Sequence, residues 1–200
     1  LAFETSKFLL ETYGYSQDKI KHNLLDTYKK QENFLPNELF NNLDLLNELN
    51  KNCDFVVFKT HSHLTKKTRE FVMENNIPFS ISIRDPKDIV ISLLEIGKKI
   101  RESNQSGVFN YIYNFDHAIN HSRVNLERLK TWIPLLENNK GCLIIYETFI
   151  NDSEPLLSYL SHLVSKRKLA HTLVTFECAN RFTQFNKGIP GRGSILLKEE

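Results

Sequence analysis

The sequence lacks a marked excess of charge, a long apolar run and a dense set of cysteines. Lysine and arginine number 26 against 24 aspartate and glutamate, so no overall field favours binding to nucleic acid. No apolar run approaches the length of a membrane-spanning helix. Cys53, Cys142 and Cys178 stand far apart, without the spacing of metal ligands. We expect them to be reduced core residues of an intracellular, cytoplasmic protein.

Short apolar runs alternate with amphipathic segments along the chain. Its 200 residues, 40% of them apolar, suit one domain with a substantial core. The runs at residues 54–59, 78–84 and 141–147 predict buried strands, the first covered on both faces. Strands separated by helices require crossovers and parallel pairing. We therefore expect a single α/β domain over residues 1–200, a three-layer sandwich with a central, mainly parallel sheet flanked by helices.

Helix ends are marked by residues with known end preferences. Residues 1–14 predict a helix closed by Gly14, and residues 35–52 predict a single helix with a leucine stripe. Asp85 is a predicted cap, and the Pro86 that follows it suits a first helical turn. A long amphipathic helix is expected after residue 115, perturbed near Pro134.

Polar segments follow the three predicted strands. They are KTHSH at residues 59–63, RDPKD at residues 84–88 and YETF at residues 146–149. Ligands of open parallel sheets bind beyond the carboxyl ends of the strands. We expect these three segments to converge in space and to form a cleft.

Arg84 combines with the helix start that follows it. A guanidinium beside the N-terminus of a helix is suited to binding a phosphate. Ser92 stands seven residues beyond Asp85, two helical turns along, so we expect it on the same face. The competing interpretation is a surface pair between Arg84 and Asp88 with a solvated serine.

Four segments together resemble one enzyme family. RDPKDIVIS at residues 84–92 resembles the segment by which sulfotransferases hold the 3′-phosphate of 3′-phosphoadenosine 5′-phosphosulfate (PAPS). KTH at residues 59–61 looks like their Lys-Thr-His, and LIIYETF at residues 143–149 resembles their strand ending in Tyr-Glu-Asp-Leu. FNKGIPGRG at residues 185–193 is similar to their late Arg-Lys-Gly-x-x-Gly-Asp-Trp loop. The resemblance covers about two-thirds of the chain and implies a P-loop-like α/β fold of the cytosolic sulfotransferase type.

The resemblance implies a function and a set of site residues. The function is transfer of a sulfuryl group from PAPS to a hydroxyl or amine, leaving 3′-phosphoadenosine 5′-phosphate (PAP), without a metal. His61 would be the general base, and Lys59 would stabilise charge on the donor. The implied nucleotide-binding residues are Arg84, Ser92, Tyr146, Phe176, Lys187 and Gly188, with Tyr146 and Phe176 near the adenine.

The sequence also departs from the family pattern. Asn186 stands where the family has arginine, and Arg192-Gly193 where it has Asp-Trp, which weakens the case for a closed lid. The N-terminal phosphosulfate loop of the family is absent from this chain. Because residues 1–14 resemble the helix that follows that loop, we expect the loop and its strand to lie upstream of Leu1.

Other interpretations remain open at this stage. A module that binds the 3′-phosphoadenosine nucleotide without transfer is one alternative, and a P-loop nucleotide kinase is another. His63 lies two residues beyond His61, so a zinc site is conceivable, although entry into the next helix is preferred.

The acceptor side of the site is also open. The expected acceptor is a small molecule or a glycan, with no nucleic acid and no membrane span involved. Asp116, His117 and His121 either line its entrance or form a solvated helix face. The aromatic run of Phe109, Tyr111, Tyr113 and Phe115 either walls the acceptor pocket or packs in the core.

Overall fold

The described part of the chain is a mixed α/β structure. The computed structural model describes residues 2–17, 33–52, 55–104, 106–137, 141–165 and 191. In chain order the elements in these ranges are α1 (Ala2–Thr12), β1 (Phe34–Leu35), α2 (Asn37–Phe40), α3 (Leu43–Asn52), β2 (Lys59–Thr60), α4 (Lys66–Glu74), β3 (Phe79–Ile83), α5 (Pro86–Glu102), α6 (Phe115–Lys130), α7 (Ile133–Leu136), β4 (Gly141–Ile145), α8 (Tyr146–Phe149) and α9 (Glu154–Ser165). None of these helices is both long and apolar enough to cross a membrane.

All strand pairing in the described ranges is parallel, as the alternation of strands and helices predicts. β1 pairs with β2 through Phe34 opposite Lys59, and β3 pairs with β4 from Phe79 opposite Gly141 to Ile83 opposite Ile145. The strands form two separate two-stranded sheets in this part of the chain. The register of the second sheet brings the carboxyl ends of β3 and β4 side by side.

The first predicted strand is much shorter than the apolar run that suggested it. Only Lys59 and Thr60 are in β2, and Phe55 is 38% exposed, so the prediction of a strand covered on both faces is wrong. The side chain of Gln17 replaces a neighbouring strand here. Its amide donates to the Phe55 carbonyl at 2.7 Å, and its carbonyl oxygen accepts from the Val57 N–H at 3.0 Å. These bonds satisfy backbone groups that a sheet would otherwise have to pair.

The predicted helix over residues 35–52 is divided into α2 and α3. The break falls at Asn41 and Asn42, and the Asn42 side chain accepts a hydrogen bond from the Leu45 N–H at 3.1 Å. Asparagine side chains compete with the helix for backbone donors and stabilise a new N-terminus. Leu39, Leu46 and Leu49 are nevertheless buried, as the stripe predicts, and Leu43 is partly buried.

The predicted buried strand at residues 141–147 is covered on one face only. Cys142 and Ile144 are buried against α1 and α9, whereas Leu143 and Ile145 are 44% and 47% exposed. Successive side chains of a strand point to opposite faces, so a helix layer on one side protects alternate residues.

Three apolar clusters hold the elements together. The first joins α2, α3 and α4 with residues around β1, and the second joins α1 and α9 to β4. The third packs α5 against the start of α6 through Val90, Leu93 and Ala118, with Ile112 between them. This last cluster orients α6 so that its other face is free to line a cavity.

Candidate functional site

The turn from β3 into α5 is held by two carboxylates. The Asp85 side chain accepts a hydrogen bond from the Lys87 N–H at 2.8 Å and caps α5, with Pro86 in the first turn, as predicted. The Asp85 N–H donates to Glu147 Oε1 at 2.8 Å. Glu147 lies on α8, directly after β4. The predicted convergence of three segments is therefore confirmed for residues 84–88 and 146–149 only. The hydrogen bonds of residues 59–63 join them instead to β1 and to the end of α6.

Arg84 extends over this turn between an aromatic ring and a carboxylate. Its guanidinium carbon lies 4.7 Å from the centre of the Tyr146 ring, and Nη2 lies 3.9 Å from Asp88 Oδ2. Arg84 and Asp88 do form the pair of the competing interpretation, but it is not a solvated surface pair, because the Arg84 side chain is only 18% exposed and that of Asp88 is 0% exposed. A cation over an aromatic face is attracted by the ring quadrupole, so the tyrosine helps to hold the guanidinium.

Two hydrogen-bond donors at this turn have no acceptor in the described part of the chain. Arg84 Nε and the Tyr146 hydroxyl are both buried and make no hydrogen bond within the described ranges. Buried polar groups are nearly always hydrogen-bonded, so an unpaired one calls for an explanation. Burial, opposed by the nearby Arg84 charge, raises the pKa of Tyr146, which keeps its proton available for donation. The pair thus presents two N–H or O–H donors beside a helix N-terminus.

A residue distant in sequence contacts the first turn of α5. The Gly191 N–H donates to Asp88 Oδ2 at 2.8 Å, and Gly191 has a positive φ of 78°. Gly191 belongs to the segment at residues 185–193 that was predicted to close over a nucleotide. This contact places one residue of that segment at the Arg84 turn.

The other predicted nucleotide-binding residues are placed only in part. Ser92 is half-buried on α5, two turns beyond the Asp85 cap. Phe176, Lys187 and Gly188 lie outside the described residues.

Lys59 and His61 make their contacts with another part of the molecule. The His61 ring lies 5.8 Å from the Phe34 ring, centre to centre. The next residues are tied to the end of α6, because Trp132 Nε1 donates to the Ser62 carbonyl and the Leu64 N–H donates to Thr131 Oγ1, each at 2.8 Å. His61 therefore lies beside the C-terminal end of α6.

Desolvation lowers the pKa of both groups, and neighbouring charges assist the shift of His61 but oppose that of Lys59. Desolvation by the surrounding protein, together with the charges of Lys59, Arg128 and His121, lowers the pKa of His61 to about 4. Part of the ring nevertheless faces solvent. Desolvation also lowers the pKa of Lys59, opposed by Glu4 on α1. At neutral pH His61 is thus unprotonated and able to accept a proton.

The aromatic residues of the predicted run near α6 lie in two different environments. Phe109 and Phe115 pack against the third apolar cluster, whereas Tyr111 is exposed and lines a cavity with His117 and His121. Core packing therefore holds for Phe109 and Phe115, whereas Tyr113 is exposed outside the cavity lining. Sequence reasoning missed Arg128, although its spacing of seven from His121 places both on one helix face.

His63 is exposed in the connection between β2 and α4. Across the described ranges there is no group of three or more His, Cys, Asp and Glu side chains that could hold a metal ion.

Comparison with known proteins gives no relative. No family model, no curated protein sequence and no solved structure matches this chain.

Proposed function

We propose that this protein is a PAPS-dependent sulfotransferase with a three-layer, P-loop-like α/β fold. The observation that carries the proposal is a pair of buried donors at the start of α5, Arg84 Nε and the Tyr146 hydroxyl, which have no hydrogen-bond partner among the described residues. They belong to two of the four segments that resemble the family, and a third segment contacts the same turn through Gly191.

The residues at the turn fit a nucleotide that carries a 3′-phosphate. Phosphate oxygens accept hydrogen bonds, so they would pair with both unpaired donors. The Arg84 fork retains capacity after its contact with Asp88, because a guanidinium has five N–H donors. Asp88 in turn offsets part of the cationic charge and, by accepting from Gly191, joins the late segment to this turn. Ser92, Phe176, Lys187 and Gly188 are proposed to complete the nucleotide site.

The proposed reaction moves one sulfuryl group between two oxygens. The acceptor oxygen bonds to sulfur while the bond from sulfur to the donor phosphate breaks, and its electron pair stays on the phosphate. His61 takes the acceptor proton, and Lys59 stabilises the negative charge that develops on the leaving side. A neutral imidazole is the form that a general base requires, and His61 has this form at neutral pH.

The test of nucleotide recognition is thermal stability with PAP, using adenosine 5′-phosphate as the control ligand. At one hundred times its dissociation constant a ligand adds about 2.7 kcal/mol to the free energy of unfolding. We expect PAP to stabilise the protein and adenosine 5′-phosphate to have a much smaller effect. Equal effects of the two nucleotides, or none from either, would contradict a 3′-phosphate site.

Arg84→Gln should abolish the preference for PAP. Because the substitution removes a cation beside the buried Asp88 carboxylate, the double variant Arg84→Gln/Asp88→Asn removes both charges of this pair together. The exposed Arg123 on α6 provides the matched control, Arg123→Gln. A preference for PAP that survives in the double variant would place the phosphate elsewhere.

The variant His61→Gln tests sulfuryl transfer separately from nucleotide binding. We expect this variant to bind PAP normally and to transfer sulfuryl groups from PAPS at a rate lowered by about 10²–10⁴-fold, the usual contribution of a general base. If the unaltered protein binds PAP but transfers to no acceptor, the alternative of a nucleotide-binding module is the correct one.

A further inference from the structure

A cavity of about 370 Å³ lies along the face of α6 that points away from the third apolar cluster. His117, His121, Val124 and Arg128 line it from the helix, and Tyr111 lines it from the preceding connection. The helix residues recur at intervals of three and four, so they form one stripe. The volume is at the lower end for small-molecule sites and suits a single ring with substituents.

The two histidines of this cavity are held in place through Tyr111. The Tyr111 hydroxyl hydrogen-bonds to His121 Nδ1, and His117 Nδ1 lies 2.8 Å from the Tyr111 carbonyl oxygen. Phe109 packs edge-on against the His121 ring, with the centres 5.5 Å apart. A carbonyl can only accept, so His117 donates from Nδ1. The cavity therefore has a fixed aromatic wall with polar groups in it.

The permanent charge in the lining of the cavity is positive. Arg128 supplies it, and no carboxylate of the described residues lines the cavity. Desolvation, together with the Arg128 charge, lowers the pKa of His121. Arg128 has no ion-pair partner among the described residues, in contrast to Lys130, whose ammonium lies 2.6 Å from Glu127. A neutral ligand would not be attracted by the positive charge of the lining. An anion therefore fits the lining better than a neutral compound of the same shape.

The cavity adjoins His61. The bonds from Trp132 and Thr131 hold residues 62–64 against the end of α6, one turn beyond Arg128. Charge on both Arg128 and His121 contributes to the lowered pKa of His61, in keeping with the hydrogen bonds that join residues 62–64 to the end of α6. An anion bound at Arg128 would offset that charge and make the imidazole a stronger base.

We propose that this cavity is the acceptor site and that the acceptor is an anion: a hydroxyl compound with a ring or apolar body and a carboxylate or sulfate group. Arg128 binds the anionic group, Tyr111 and Val124 contact the body, and the hydroxyl is directed to His61. The inference rests on the proposed function for the transfer step, but the anion site itself is defined by Arg128 and its neighbours.

Two matched phenols test the inference by equilibrium binding. The probes are 3-(4-hydroxyphenyl)propionate and its amide, which have the same hydroxyl and nearly the same shape. Binding is measured by calorimetry on the full chain, first without nucleotide and then with PAP. We expect the carboxylate to bind at least about tenfold more tightly than the amide, the lower range for a hydrogen bond between charged groups.

Arg128→Gln should remove that preference, so that the two phenols bind with similar affinity. Arg123→Gln, on the same helix but outside the cavity lining, should keep it. The inference is overturned by equal binding of both phenols to the unaltered protein, by binding of neither, or by a preference that survives in Arg128→Gln.

The result is independent of the test of the proposed function. If the carboxylate binds through Arg128 but PAP does not stabilise the protein, the anion site stands and the sulfotransferase proposal fails. If PAP binds and the carboxylate preference is missing, the proposed function stands and the acceptor inference fails. With both in place, transfer from PAPS to the carboxylate probe should exceed transfer to the amide by a similar factor.

Discussion

The Tyr146 hydroxyl provides a test in which stability and ligand affinity should change in different directions. This oxygen is buried and has no hydrogen-bond partner in the described part of the chain, while its ring lies 4.7 Å from the Arg84 guanidinium carbon. Tyr146→Phe removes only the oxygen and keeps the ring that holds Arg84. Any change in nucleotide affinity therefore reports on the hydroxyl itself.

The expected magnitudes follow from the two states of that hydroxyl. An unpaired buried polar group costs about 1–3 kcal/mol, so its removal should leave the free energy of unfolding of the ligand-free protein unchanged or raise it by about 1 kcal/mol. A hydrogen bond to a charged phosphate contributes about 1.5–3 kcal/mol. Its loss should weaken PAP binding by roughly 10- to 140-fold.

Tyr159→Phe is the matched control. Tyr159 is half-buried, and its hydroxyl accepts a hydrogen bond from the Phe79 N–H at 3.1 Å. Desolvation raises the pKa of Tyr159 to about 12, opposed by this backbone bond. Loss of a bond that is already made should lower the free energy of unfolding by about 1 kcal/mol and leave PAP affinity unchanged.

Both variants are compared with the unaltered protein by urea denaturation without ligand and by calorimetric titration with PAP. The reasoning is refuted if Tyr146→Phe binds PAP as tightly as Tyr159→Phe does. It is refuted equally if Tyr146→Phe destabilises the ligand-free protein as much as the control, because the hydroxyl would then have a partner in the folded chain.

Three further predictions concern packing and titration. A Cβ on Gly97 would lie 2.5 Å from the Ile112 carbonyl oxygen, so Gly97→Ala should lower the free energy of unfolding by about 1–3 kcal/mol. A Cβ on Gly107 would meet only the Ile100 side chain, so Gly107→Ala should lower it less. Equal losses in urea denaturation would contradict this. Leu156 is 0% exposed, so Leu156→Ala should lower the free energy of unfolding by about 2–5 kcal/mol. A loss of less than about 1 kcal/mol in the same measurement would show that the second cluster is not packed as described. His61 should titrate by NMR with a midpoint at about pH 4. Because the unfolded state takes up its proton near pH 6.5, stability should fall as pH drops from about 6.5 toward that midpoint, and His61→Gln should reduce this slope. An ordinary midpoint would contradict the effect of desolvation and of the neighbouring positive charges on the ring.

The two proposed sites differ in how much of them could be predicted. The Arg84 turn was predictable because a strand end, a cap and a helix start are adjacent in sequence, and the structure confirms each of them. The unpaired state of Arg84 Nε was not predictable, since it depends on which distant groups reach the guanidinium. For the acceptor cavity the sequence indicated a helix face and an aromatic run, but not that Arg128 lies near His61.

Where the predictions were wrong, a contact between distant residues replaced a local preference. An apolar run with strand propensity became irregular because Gln17 binds its backbone at Phe55 and Val57. An apolar strand at residues 141–145 was left half exposed because its described helix partners, α1 and α9, cover the face of Cys142 and Ile144.

The sequence by itself determined the features that act over a few residues: the parallel α/β alternation, the Asp85 cap with Pro86, the helix end at Gly14, and the apolar stripes that become cores. These signals are local because capping bonds and helical periodicity join residues within about one or two turns. Only the tertiary structure decided that Tyr146 holds Arg84, that Gly191 contacts Asp88, and that Arg128 faces the cavity beside His61. Such contacts join residues far apart in the chain, and they form only when packing of the helices against the strands brings the segments together.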